Sequence, residues 1–76
     1  MISNECFEEI KLLNQFNLAS MSIGIKVHAT KAPQEAVAAA KRLFEKGLTD
    51  QVDGGYLTQR GIEAATHAQS LLRLLG

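Results

Sequence analysis

The sequence predicts an α+β domain, mostly helical, with three main helices, one short strand and a β-hairpin. Three stretches carry that prediction. Pro33 to Lys46 is an alanine-rich run with apolar residues at three- and four-residue spacing and Gly47 directly behind it. Leu48 to Leu57 reads as strand, turn and strand around Asp53-Gly54-Gly55. Thr58 then opens a second long run with helical spacing that reaches about Leu75. Apolar residues every three to four positions bury one face of a helix, whereas a turn cluster between short extended segments folds them into a hairpin.

Taken in order, Ser3 or Asn4 caps a first helix over about Asn4 to Phe16, with Phe7, Ile10 and Leu13 on one stripe and Leu12 and Phe16 on the next. Glu5, Glu8 and Glu9 fall in its first two turns, where carboxylates interact favourably with the positive end of the helix dipole. From Ser22 to His28, Ile23, Ile25 and Val27 alternate with Gly24, Lys26 and His28, the period of a strand with one buried face. Pro33 suits the first turn of the second helix because its missing donor would be unpaired there. Ala36, Ala40 and Leu43 form that helix's core stripe, with Val37 and Phe44 beside it, and Gly47 supplies the left-handed residue that ends it. Asp53-Gly54-Gly55 offers the positive-φ residues of a tight hairpin. Thr58 caps the last helix, whose apolar band is wide: Ile62, Ala65, Leu72 and Leu75 along one stripe, Ala64, Ala68 and Leu71 along another.

A chain of 76 residues is expected to form a single domain, residues 1–76, and to bury only a modest fraction of its surface. Small scaffolds of this kind gain stability by pairing with a second copy, and the broad band of the last helix is the surface for such a homodimer or, alternatively, packs on helix one of its own chain. The single cysteine, Cys6, leaves no internal disulfide, which fits a reducing, cytoplasmic setting. The acidic N-terminal region and the lack of a long apolar run argue against export and against a membrane span. Net charge is zero. Residues 1 to 21 hold Glu5, Glu8 and Glu9 against Lys11, while residues 22 to 60 hold Lys26, Lys31, Lys41, Arg42, Lys46 and Arg60 against four acids. That central excess is either a phosphate-facing set or ordinary solvated surface.

Enzyme chemistry finds no foothold. Cys6 stands in the first turn of a helix without a partner base, and a lone cysteine there is expected to be a small buried hydrophobe. His28 and His67 lack further ligands for a metal and are expected as surface or interfacial imidazoles. Gly54-Gly55 lacks the Lys-Ser/Thr of a phosphate loop, and a hairpin turn explains it. No catalytic residue, metal or cofactor is expected.

Leu-Phe-Glu-Lys-Gly-Leu at 43 to 48, Asp-Gly-Gly-Tyr-Leu-Thr at 53 to 58 and Gly61 together resemble the core of winged-helix proteins. In those proteins a helix ends in a Lys-Gly-Leu turn, a hairpin wing follows, and a Leu-Thr pair opens the next helix. The whole chain, with Gly24-Ile25-Lys26-Val27-His28, also resembles a small family of uncharacterised gammaproteobacterial proteins, some labelled DNA-binding by fold alone. Winged helices place two helices between the first strand and the wing. Here residues 17 to 32 have room for only one short helical turn besides a strand.

The resemblance implies double-stranded DNA as partner, with helix 33 to 46 in the recognition position. Its outward side chains are Gln34, Ala38, Lys41, Arg42 and Glu45, of which Gln and Arg suit base edges and Lys suits phosphate. Lys41, Arg42 and Lys46 are expected at helix-end phosphates, Lys26, His28 and Lys31 at the neighbouring backbone, and Gln51, Tyr56 and Arg60 around the wing. Lys41, Arg42 and Lys46 have a second explanation, since cations in the last turns of a helix interact favourably with its exposed carbonyls. The competing function is a protein-interaction or homodimerisation module that binds no nucleic acid.

Overall fold

The computed structural model describes residues 3–20 and 23–76. Three helices and a small antiparallel sheet follow in the order α1 (Asn4–Leu13), β1 (Ile25–Lys26), α2 (Gln34–Glu45), β2 (Thr49–Gln51), β3 (Gly54–Leu57) and α3 (Gln59–Leu75). The class is α+β, mostly helical, and the order is compatible with a winged-helix layout. Ser3 is the cap of α1, its hydroxyl accepting from the Cys6 N–H at 3.1 Å. The helix stops at Leu13, three residues short of the expected Phe16, although Phe16 still enters the core from the turn beyond. Its buried arc is Glu9, Leu12, Leu13 and Phe16 rather than a stripe through Phe7, which is half exposed. Cys6, expected to be buried, is exposed.

Asn17 turns the chain after α1: its side-chain oxygen accepts from the Ala19 N–H at 2.9 Å, an Asx turn rather than a turn of helix. The expected strand from Ser22 to His28 contracts to Ile25–Lys26, with Ser22 outside the described residues. One further ladder bond, Val27 N–H to Asp53 O at 2.8 Å, holds the buried Val27 beside the hairpin. Immediately afterwards the His28 carbonyl accepts from both Lys31 and Ala32, closing a single helical turn ahead of α2. One helix and one lone turn therefore stand where a full winged helix has two helices.

Pro33 caps α2 from outside instead of occupying its first turn, and its carbonyl accepts from Ala36 and Val37. At the other end Gly47 takes φ 78°. Leu48 N–H reaches back to Leu43 O, and Gly47 N–H to Phe44 O, which together satisfy carbonyls that the helix leaves open. The same reversal starts β2.

The hairpin differs in detail from its expected form. Its two-residue turn is Val52-Asp53, both at negative φ, and the glycines sit in the returning strand. Gln51 pairs with Gly54 and Thr49 with Leu57, so β3 carries one extra residue, a bulge. Gly55, at φ 73°, makes that bulge, and a Cβ there would lie 2.3 Å from Asp50 Oδ1. Asp50 in turn accepts from the Tyr56 N–H at 2.8 Å, replacing the partner that the bulge removes from the ladder. β3 is the central strand, with β1 and β2 on either side.

Thr58 begins α3 as expected and joins it to the hairpin. Its hydroxyl accepts from Gly61 N–H at 3.1 Å and donates to Gly47 O at 2.6 Å, while its own N–H donates to Leu48 O. Leu12, Leu13, Val27, Ala39, Ala40, Leu43, Ala65 and Ala68 form one core drawn from all three helices. The buried residues of α3 are Gly61, Ala65 and Ala68. Of its expected stripes, Leu71 and Leu75 lie exposed, as does Leu74. No helix among the described residues is long and apolar enough to cross a membrane.

Candidate nucleic-acid interface

α2 buries Ala39, Ala40 and Leu43 and turns Gln34, Ala38, Lys41 and Glu45 to solvent, as its spacing predicts. Arg42 is the exception. Its Nε donates to Glu9 Oε2 at 2.8 Å and its Nη2 to the Glu5 carbonyl at 3.1 Å, so the guanidinium lies against α1. Lys46, one turn later, donates to Glu9 Oε1. Glu9 is 6% exposed, and both of its oxygens are occupied.

Burial of the Glu9 carboxyl works to raise its pKa, but hydrogen bonds from Lys46 and Arg42, and the charges of both, outweigh that. The group is held below its ordinary value of 4.5, and the Glu9 bond raises Arg42 above its own. Arg42, expected to point outward, and Lys46, expected at helix-end phosphates, thus both tie α2 to α1 through Glu9, although Lys46 stays largely exposed. The sequence did carry a signal: Glu5 and Glu9, like Arg42 and Lys46, are spaced four apart, so two helices can present matched pairs.

Lys26 is also engaged. Its ammonium lies 2.8 Å from Asp53 Oδ2, tying β1 to the wing turn at the start of β3. That hydrogen bond is the main cause that holds the Asp53 carboxyl below its ordinary value.

Between α2 and the wing turn opens a cleft of about 560 Å³. Val27, Ala29, Val37, Ala38, Ala40 and Val52 line it, with Gln34, Lys41 and Asp53 among them as the polar groups. Because Val27 and Ala29 belong to its wall, the turn that carries His28 and Lys31 borders the same opening. Among the described residues, the side chains of Lys31 and Lys41 have neither a hydrogen-bond nor an ion-pair partner.

The remaining expected residues lie apart from this cleft. Gln51 and Tyr56 share a shallow depression on the sheet with Lys26, Gly24, Ile25 and Gly55. Arg60 sits at the base of the wing, its guanidinium beside Gly47, in another depression with Leu48, Glu63, Ala64 and His67. His28 and His67 are both exposed. Among the described residues no three His, Cys, Asp or Glu side chains are grouped to hold a metal ion.

The chain belongs to a family of unknown function, DUF5669, whose model matches residues 1–76. No curated protein and no solved structure matches it.

Proposed function

We propose that this member of a family of unknown function binds double-stranded DNA, with α2 and the β2–β3 wing as its contacting elements. The observation that carries the reading is the arrangement around one opening: Gln34 and Lys41 on α2, the wing turn opposite, and the turn of His28 and Lys31 alongside. Lys31 and Lys41 supply phosphate contacts and Gln34 offers an amide to base edges, while Lys26, paired with Asp53, positions the wing turn. Gln51, Tyr56 and Arg60 flank the wing at greater remove. Arg42 and Lys46 take no part, because Glu9 holds them. With two unpaired lysines and zero net charge, binding is weak and strongly dependent on salt.

Titration of duplex DNA at two salt concentrations tests this. Replacing Lys31 and Lys41 by Met weakens binding and lowers the slope of log affinity against log salt by about 1 for each lysine. An unchanged slope, or no binding at low salt, sinks the proposal.

A second reading, self-association through α3, is favoured by a separate observation. Leu71, Leu74 and Leu75 are 47%, 85% and 75% exposed, on the last turns of a helix whose core contacts end near Gln69. Three leucines at helical spacing form an apolar stripe suited to a second copy. Sedimentation across a range of concentrations separates the two readings, since a strict monomer that binds DNA retains only the first.

A further inference from the structure

We infer that the cleft between α2 and the wing turn binds a small organic anion with an apolar body, its acid group paired with Lys41. The cleft's volume, about 560 Å³, lies inside the range of roughly 300–1,000 Å³ typical of small-molecule sites. Its walls are aliphatic: Val27, Val37, Ala38, Ala40 and Val52. Val52 is half exposed at the tip of the wing, so an apolar body lying across it removes surface that the fold leaves wet.

Charge decides the class of ligand. Lys41 is the cation in this lining and has no partner among the described residues. The one carboxylate of the lining, Asp53, is already neutralised by Lys26 at 2.8 Å, so it neither attracts a cation strongly nor repels an anion. A cationic ligand would face Lys41 unpaired. A neutral one would cover the base of its side chain without compensating its charge. A carboxylate on a short aryl or alkyl chain satisfies both walls and head.

The inference is independent of DNA binding and concerns the protein alone; where both occur, anion and phosphate compete for Lys41. The test uses 4-phenylbutanoate and its neutral counterpart 4-phenylbutan-1-ol as probes, followed by amide chemical shifts of the full chain. The acid is expected to saturate with shifts centred on Val27, Ala29, Val37, Ala38 and Val52, and to bind about tenfold more tightly than the alcohol. Lys41→Met removes that preference, bringing the acid's affinity to or below that of the alcohol. Ala38→Leu, at an exposed position that tolerates size, fills the cleft and weakens both probes. The proposal is overturned by equal affinity for acid and alcohol, by shifts centred elsewhere such as Leu71 to Leu75, by a preference that survives Lys41→Met, or by the absence of saturable shifts.

Discussion

Glu9 is the residue on which α1 and α2 most directly meet. It occupies a position where helical spacing calls for an apolar side chain, one turn ahead of the buried Leu12 and Leu13. A buried carboxylate is tolerated there because two cations reach it, and removing one partner of such a set leaves charge in a poorly solvated place. Glu9→Gln is expected to lower unfolding free energy by about 1–3 kcal/mol at about pH 7, measured by urea denaturation. Because the folded carboxyl titrates below its ordinary 4.5, its contribution is complete above that value and is lost as pH falls through the folded pKa. The gap between wild type and variant should therefore close in acid; a gap that stays constant to about pH 3 contradicts the ion-pair account. Gly61 presents a different constraint. A Cβ there would meet the Leu48 carbonyl oxygen at 1.8 Å, a backbone atom that cannot move aside. Gly61→Ala should cost at least about 2 kcal/mol by thermal or urea unfolding, despite alanine's better helix propensity.

At the scale of elements, the hairpin is fixed at its base more than at its tip. Thr58 bonds to Gly47, to Leu48 and to the first turn of α3, so the end of one helix and the start of another share a single residue. Thr58→Val keeps the shape and removes both hydroxyl bonds, for an expected loss of about 1–2 kcal/mol. Hydrogen exchange would show the loss at Gly61 first; retained protection there would assign the cap elsewhere. These contacts explain why Lys-Gly-Leu, Leu-Thr and Gly61 were legible in the sequence: each is a local signal with a local cause. The bulge at Gly55 was not legible, because Asp53-Gly54-Gly55 satisfies a tight turn equally well and only pairing with β1 and β2 decides the register. The direction of the Arg42 side chain is hidden for a similar reason. Its place on α2 follows from spacing, but its direction depends on the position of α1, which periodicity does not specify.

For the whole molecule, folding cancels the charge asymmetry that the sequence displays. The acidic first helix and the basic middle of the chain are brought together, with Glu9 taking Arg42 and Lys46, and Glu5 lying 3.9 Å from Arg42. What reads as a basic surface is in part an interhelical contact, and of the five lysines only Lys31 and Lys41, beside the cleft, keep side chains without a partner among the described residues. The apolar surface divides the other way: the core ends before the last turn of α3, and Leu74 contributes to no buried contact at 85% exposure. Leu74→Glu should leave monomer stability within about 0.5 kcal/mol of wild type while abolishing any concentration-dependent sedimentation. Self-association that survives this change would place the contact on another face.

The bulged hairpin bears on which face that can be. Both outer strands of the sheet are short, two residues in β1 and three in β2, and the extra residue in β3 bends the ladder just where β2 leaves it. Along β2 the exposed positions are Asp50 and Gln51, and the carboxylate of Asp50 is turned inward to the Tyr56 amide. A neighbouring chain that approached this edge would find little straight backbone to pair with, since short, kinked and acidic edges resist strand addition. The sheet therefore resists edge-to-edge growth into fibres, and the self-association proposed above would run through side chains on helices rather than through shared strands.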